Sequence, residues 1–214
     1  MPPIRRSNRR PPANRAPGAQ VRKNTVRLSG DVAGRVRVGH PWVYREALGT
    51  RGFAPEPGTS IDCIDPDGEF VGRGLYDADS TIALRIFVRS PDVQIDGKLV
   101  RDRVRAAIAL RRRVVDLDKL GCVRLINAES DGLPGIVVER YGDYLVTQRY
   151  TSAVTKLRDD LFAALEAELH PKAIYEQRRY RSLGGEAPRQ GAAELVRGDA
   201  APVEVGRASC RERV

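Results

Sequence analysis

The chain reads as an α+β protein in two folded units, a small β-barrel over residues 24–92 followed by strands combined with two helices over 95–180. Three observations predict this. Between Ser60 and Val88, three strand-like runs are separated by turn residues. From Asp96 the apolar spacing changes from every second residue to the three-to-four of a helix. Before Asn24 the chain is rich in Pro, Arg, Asn and Ala and has no aromatic residue, which predicts a disordered arm over 1–23.

The elements follow in order. Residues 25–29 (TVRLS) predict a short strand, Asp31 to Arg37 a helical turn, and 39–44 (GHPWVY) the segment it leads into. A Gly/Pro-rich loop spans Gly49 to Gly58. SIDCID (60–65) ends at a Pro66-Asp67-Gly68 turn, and EFVGRGLY (69–76) at Asp77-Ala78-Asp79-Ser80. TIALRIFV (81–88) alternates, with Ile82, Leu84, Ile86 and Val88 on one face. This short-stranded unit predicts a barrel or a tight sandwich.

In the second unit Asp96 is placed to cap a helix with the stripe Val100, Val104, Ala107, Ile108 and Val114/Val115. Arg111 to Arg113 near its end suit the helix dipole. Strands are expected at 122–129, 135–142, 144–150 and 173–177. Ser152 is placed to cap a second helix with the stripe Val154, Leu157, Leu161 and Leu165, stopped by Pro171. Residues 181–205 are punctuated by Gly and Pro and read as a weakly structured linker.

Composition bounds the function. No run approaches the roughly 18 to 20 apolar residues of a membrane span, so no membrane partner is expected and the cytoplasm is the expected location. The formal charge of +9 points to a polyanion, but its distribution matters more. Residues 1–30 hold eight Arg/Lys and no acid, and 206–214 net +2, which leaves 31–205 at −1. The basicity lies at the ends, where an arginine-rich arm binds phosphate by counterion release without needing a fold.

No active site is visible. Gly72-Arg73-Gly74 lies within a strand-like run and Gly184-Gly185 in a loop. Neither opens a helix as a dinucleotide or SAM site requires, so a bulge or a turn is expected at each. Cys63, Cys122 and Cys210 form no CxxC, and with two histidines they make no zinc site. Asp62, Asp65, Asp67 and Glu69 fall across a strand–turn–strand, which favours solvated turn acids over a metal site. His170 beside Pro171 fits a helix end. Catalytic, cofactor-binding and metal residues are therefore expected to be absent.

RNA recognition combines arginine–phosphate contacts with stacking of bases on aromatic rings. On the barrel the candidates are His40, Trp42, Arg73, Tyr76 and Arg85, with Tyr44 beside them. In the arm they are Arg5, Arg6, Arg9 and Arg10. Core packing is the alternative for Trp42 and Tyr44, and a solvated tail without a partner the alternative for the arm.

Several of these stretches carry a family resemblance. They are Gly39-His40-Pro41-Trp42-Val43-Tyr44, then Gly68 to Tyr76, then Ser80 and the strand containing Arg85. The most specific is Arg124 to Asp143, with Asp131-Gly132-Leu133-Pro134-Gly135 at its centre, and Ile174-Tyr175-Glu176 follows. Together they resemble the PUA-containing class I SAM-dependent methyltransferases that modify cytosine C5 of bacterial 23S rRNA. The resemblance implies an RNA-binding PUA domain over 24–92, a central α+β domain over 95–180 and a final Rossmann-like domain. In the family that last domain holds S-adenosyl-L-methionine and the cysteine that attacks cytosine C6.

The resemblance runs to about Val205, and the Rossmann-like domain is expected to be missing from this sequence. Residues 206–214 (GRASCRERV) read as a translated sequencing adapter and are set aside, Cys210 with them. The expectation is an N-terminal portion that binds ribosomal RNA, binds no SAM itself and is inactive alone. A stand-alone PUA-type RNA-binding or ribosome-assembly protein is the alternative. The oligomeric state stays open, a homodimer included.

Overall fold

A computed structural model describes residues 24–49, 53–117, 119–180 and 193–200. The arm and residues 206–214 lie outside the described residues.

The first unit is a five-stranded sheet with one helix. Its strands are β1 (Thr25–Arg27), β2 (Trp42–Tyr44), β3 (Ser60–Ile64), β4 (Phe70–Tyr76) and β5 (Ile82–Val88), and its helix is α1 (Gly30–Arg37). The order is β1-β3-β4-β5-β2, antiparallel except for the parallel β1–β3 pair. The expected barrel is therefore, by its hydrogen bonds, a sheet with β1 and β2 at its edges.

The Pro66-Asp67-Gly68 turn is built by Asp65, whose Oδ1 accepts from the backbone N–H groups of Asp67 and Glu69. The Gly72 and Gly74 pair marks close backbone approach. A Cβ on Gly74 would sit 2.6 Å from the Arg85 carbonyl, and the β4–β5 register shifts between Arg73 and Gly74.

The second unit has the strands β6 (Cys122–Asn127), β7 (Ile136–Tyr141), β8 (Tyr144–Arg149), β9 (Ala173–Arg178) and β10 (Glu194–Gly198), in the order β10-β9-β8-β7-β6. Only β8 and β9 pair in parallel, joined by a crossover through α3 (Arg158–Leu169). The helix α2 (Gly97–Val114) begins where expected, with Asp96 accepting from Leu99 N–H at 2.9 Å. Its buried stripe is Val100, Val104, Ala107 and Ile108, whereas Val114 and Val115 are exposed.

Three further expectations are corrected. The cap after β8 is Thr151, not Ser152, and it opens a 3-10 segment, Ser152–Leu157, ahead of α3. Asn127 is the last residue of β6, because Ala128–Asp131 form a 3-10 turn. Finally, β10 adds an antiparallel edge to β9 within the expected linker.

The two units share packing. Val26, Val36, Val43, Ile61 and Leu84 belong to one core. Leu75, Phe87 and Val88 leave the first sheet and join the core of the second, with Ile108, Leu125 and Phe162. Each such side chain contributes roughly 1.5–3 kcal/mol when fully buried. This explains why β5 is buried from Ala83 to Val88 rather than on one face. Alternation shows one apolar face, but it does not show that a second unit covers the other.

Candidate nucleic-acid interface

The β2 segment alternates, so Val43 enters the core while Trp42 and Tyr44 point away from it. The loop before it is held from behind. Arg89 donates to the carbonyls of Val36 (2.8 Å), Gly39 (2.8 Å) and His40 (3.1 Å), filling the acceptors left open where α1 ends. Gly39 takes φ +113, a conformation that L side chains rarely adopt, and so turns the chain into His40.

The result is a three-ring cluster. His40 and Trp42 lie 6.0 Å apart edge to face, Trp42 and Tyr44 6.5 Å apart edge to face, and His40 and Tyr44 6.4 Å apart and tilted. These rings line a groove of about 330 Å³ together with Val32, Arg35, Glu46 and Ala47. Tyr44 is 41% exposed. Among the described residues, the Arg35 side chain donates only over 3.4 Å to its own helix carbonyl at Asp31, and it lines the groove. Solvent-accessible rings beside a cation are what stacking and phosphate contact require.

The other sequence candidates are placed differently. Arg73 is 6% exposed and its guanidinium is taken up. It pairs with both Asp62 oxygens (2.5 and 3.1 Å) and donates to the carbonyls of Pro91 and Val93. Tyr76 is buried against Phe53, and its hydroxyl accepts from Arg45, whose guanidinium also reaches the carbonyls of Asp77 and Ser80. Arg85 is buried on Glu129 at 3.1 Å. Arg73, Tyr76 and Arg85 are thus buried in the sheet with their polar groups engaged inside the protein, unlike the rings of β2. Arg5, Arg6, Arg9 and Arg10 lie outside the described residues.

The Asp131–Gly135 run is a joint. Asp131 takes a two-pronged ion pair from Arg111 (2.5 and 2.7 Å) and also accepts from Asn127 N–H. Arg103 bridges the Gly132 and Phe87 carbonyls, one from each unit. Burial lowers the Arg103 pKa, with Arg89 adding to the shift. Gly135 has φ +75, and a Cβ there would lie 2.5 Å from Thr151 Cγ2, so only glycine fits.

Among the described residues, no group of three or more His, Cys, Asp or Glu side chains is placed to hold a metal. Burial, aided by the Asp62 charge, pushes the Cys63 thiol up to about 12, which disqualifies it as a nucleophile. The Gly72-Arg73-Gly74 run does not form a nucleotide-binding turn. Gly72 and Gly74 sit inside β4, where side chains and backbone fill the space a ligand would need, and neither precedes a helix. No described helix is long and apolar enough to cross a membrane.

Residues 26–89 match the family model of a PUA-like domain. The chain is 36% identical over 184 residues to the ribosomal RNA large subunit methyltransferase I of Tolumonas auensis, covering 85% of this chain and 45% of that protein. It is 37% identical over 155 residues to the protein of the same name from Shewanella denitrificans, covering 71% and 39%. A solved structure from Streptococcus mutans named "a putative SAM-dependent methyltransferase" shares the fold, with a TM-score of 0.70 at 14% identity over 83% of this chain and 44% of that one. The chain thus combines a PUA-like domain with an α+β unit, is similar over most of its length to large-subunit rRNA methyltransferases, and spans less than half of their length.

Proposed function

We propose that this chain is the RNA-binding portion of a SAM-dependent large-subunit rRNA methyltransferase and that it engages RNA through the α1–β2 groove. The observation that carries the reading is the partly exposed His40–Trp42–Tyr44 cluster beside Arg35, on the domain that matches the PUA-like model. Unstacked bases sit on the rings, and Arg35 meets the backbone phosphate. The arm, with Arg5, Arg6, Arg9 and Arg10, adds affinity that does not depend on sequence.

The reaction we assign to the whole enzyme is methyl transfer from S-adenosyl-L-methionine to C5 of a cytosine in 23S rRNA. The similarity to proteins named rRNA large subunit methyltransferase supports large-subunit rRNA as the substrate and methylation as the reaction, and cytosine C5 is what the family resemblance of the sequence implies. The described residues contribute substrate positioning and carry no catalytic step. The cytoplasm is where this substrate is met.

Titration of the chain with fragments of large-subunit rRNA tests the proposal. Binding that falls on Trp42→Ala and on Tyr44→Ala, with no methylation and no SAM binding by this chain alone, is the expected result. Tight SAM binding in a calorimetric titration would show that the cofactor site lies within these residues. RNA binding indifferent to both ring substitutions would remove the groove from the account.

A further inference from the structure

The Asp131–Gly135 run is the most specific part of the family resemblance, and RNA binding by the first unit makes no direct use of it or of the Ala128–Asp131 turn that leads into it. Its geometry is nevertheless tightly determined. Ala128 takes φ +47, a left-handed conformation unusual for a residue with a side chain. The turn that follows is anchored by the Asp131–Arg111 pair and by Arg103 on the Gly132 carbonyl. This projects Glu129 toward the first unit.

There Glu129 Oε1 accepts two hydrogen bonds, from Trp42 Nε1 at 2.9 Å and from Arg85 at 3.1 Å. Both donors lie on neighbouring strands, and Trp42 and Arg85 are register partners across β2 and β5. Arg85 is 7% exposed and its Nε has no partner, so Glu129 supplies the compensating charge. The indole has a single donor. Once that donor is bonded to Glu129, the ring plane is fixed at the groove it lines with His40 and Tyr44.

We propose that Glu129 is a positioning residue: the second unit reaches across to hold Trp42 in its stacking pose, so that RNA bound on the first unit senses both units as one. The role rests on the RNA-binding reading above, but its first readout does not. Trp42 is the only tryptophan in the chain, so intrinsic emission reports this one contact.

The test compares Glu129→Ala with Glu129→Gln in the 214-residue chain, by tryptophan emission without ligand and by anisotropy titration with a large-subunit rRNA fragment. Glu129→Ala is expected to shift emission to the red and to weaken RNA binding about tenfold, the effect of removing one charge-assisted hydrogen bond. Glu129→Gln keeps an acceptor for the indole, so emission and affinity should stay within about twofold of the parent. If Glu129→Ala fails to fold, Arg85→Met with Glu129→Met removes both charges together and should show the same shift and loss. Unchanged emission and affinity in the alanine or double-methionine variant overturns the role of Glu129 while leaving the groove intact. An emission shift with no RNA binding by any variant, the parent included, overturns the RNA reading instead.

Discussion

Tyr44 and Tyr76 belong to the same sheet and meet opposite fates. Tyr44, on the edge strand β2, is 41% exposed in a ring cluster, whereas Tyr76, on the interior strand β4, is 3% exposed. Arginines divide the same way. Arg35 has an open side, while Arg73 spends its donors on Asp62, Pro91 and Val93. The edge and α1 are therefore open toward solvent, and the interior residues are spent on holding the first unit together. Position in the fold, not residue type, decides which arginine or tyrosine is open to a ligand.

The sharpest way to break that comparison is at the buried end. Glu176 receives Arg149 at 2.8 and 3.1 Å and also Arg158, with Arg149 and Glu176 side chains 4% and 5% exposed. Glu176→Ala strands a buried guanidinium and should cost about 3–5 kcal/mol by chemical denaturation. Arg73→Met is milder, about 2 kcal/mol, because the Asp62 side chain keeps 21% of its surface in water. RNA affinity of the folded fraction should not change in either variant.

At the open end the balance reverses. Tyr44→Ala should leave the melting temperature nearly unchanged and weaken RNA binding by about 1–3 kcal/mol in titration, the worth of one base stacked on an aromatic ring. Deleting residues 1–23 removes seven cationic residues. The slope of log affinity against log salt should flatten by about 0.7–0.9 for each phosphate that the arm had neutralised. An unchanged slope excludes the arm from binding.

The smallest effect is expected at Asp65, whose carboxyl the Arg37 guanidinium holds below the usual range, with backbone hydrogen bonds from Glu69 and Asp67 assisting. A carboxylate with a lowered folded-state pKa stabilises the fold above its ordinary pKa and loses that contribution as pH falls through the lowered one. Arg37→Ala should therefore be slightly less stable than the parent at neutral pH, and the difference should vanish in strong acid.

Much of this was legible in the chain itself. The Asp96 cap, the α2 stripe from Val100 to Ile108 and the turn at Gly68 all follow from local chemistry, and they stand as expected. What escaped is non-local. The apolar alternation of β5 describes one face and gave no sign that Phe87 enters a second core or that Arg85 faces Glu129. Thr151 and Ser152 are equally good caps by composition; hydrogen-bond geometry alone separates them. The β10 strand carries too few apolar residues to stand out, and pairing with β9 is what makes it a strand. In the site, the GHPWVY segment pointed to His40 and Trp42. Arg89, which braces the loop, lies about fifty residues away and left no local signal.

Ultraviolet crosslinking of the chain to a large-subunit rRNA fragment, with the modified peptides read by mass spectrometry, tests the central claim most directly. Crosslinks concentrated in residues 35–47, at Trp42 and Tyr44 above all, are predicted, with β4 around Arg73 and Tyr76 free of them. Crosslinks confined to the second unit, or centred on β4, would contradict it.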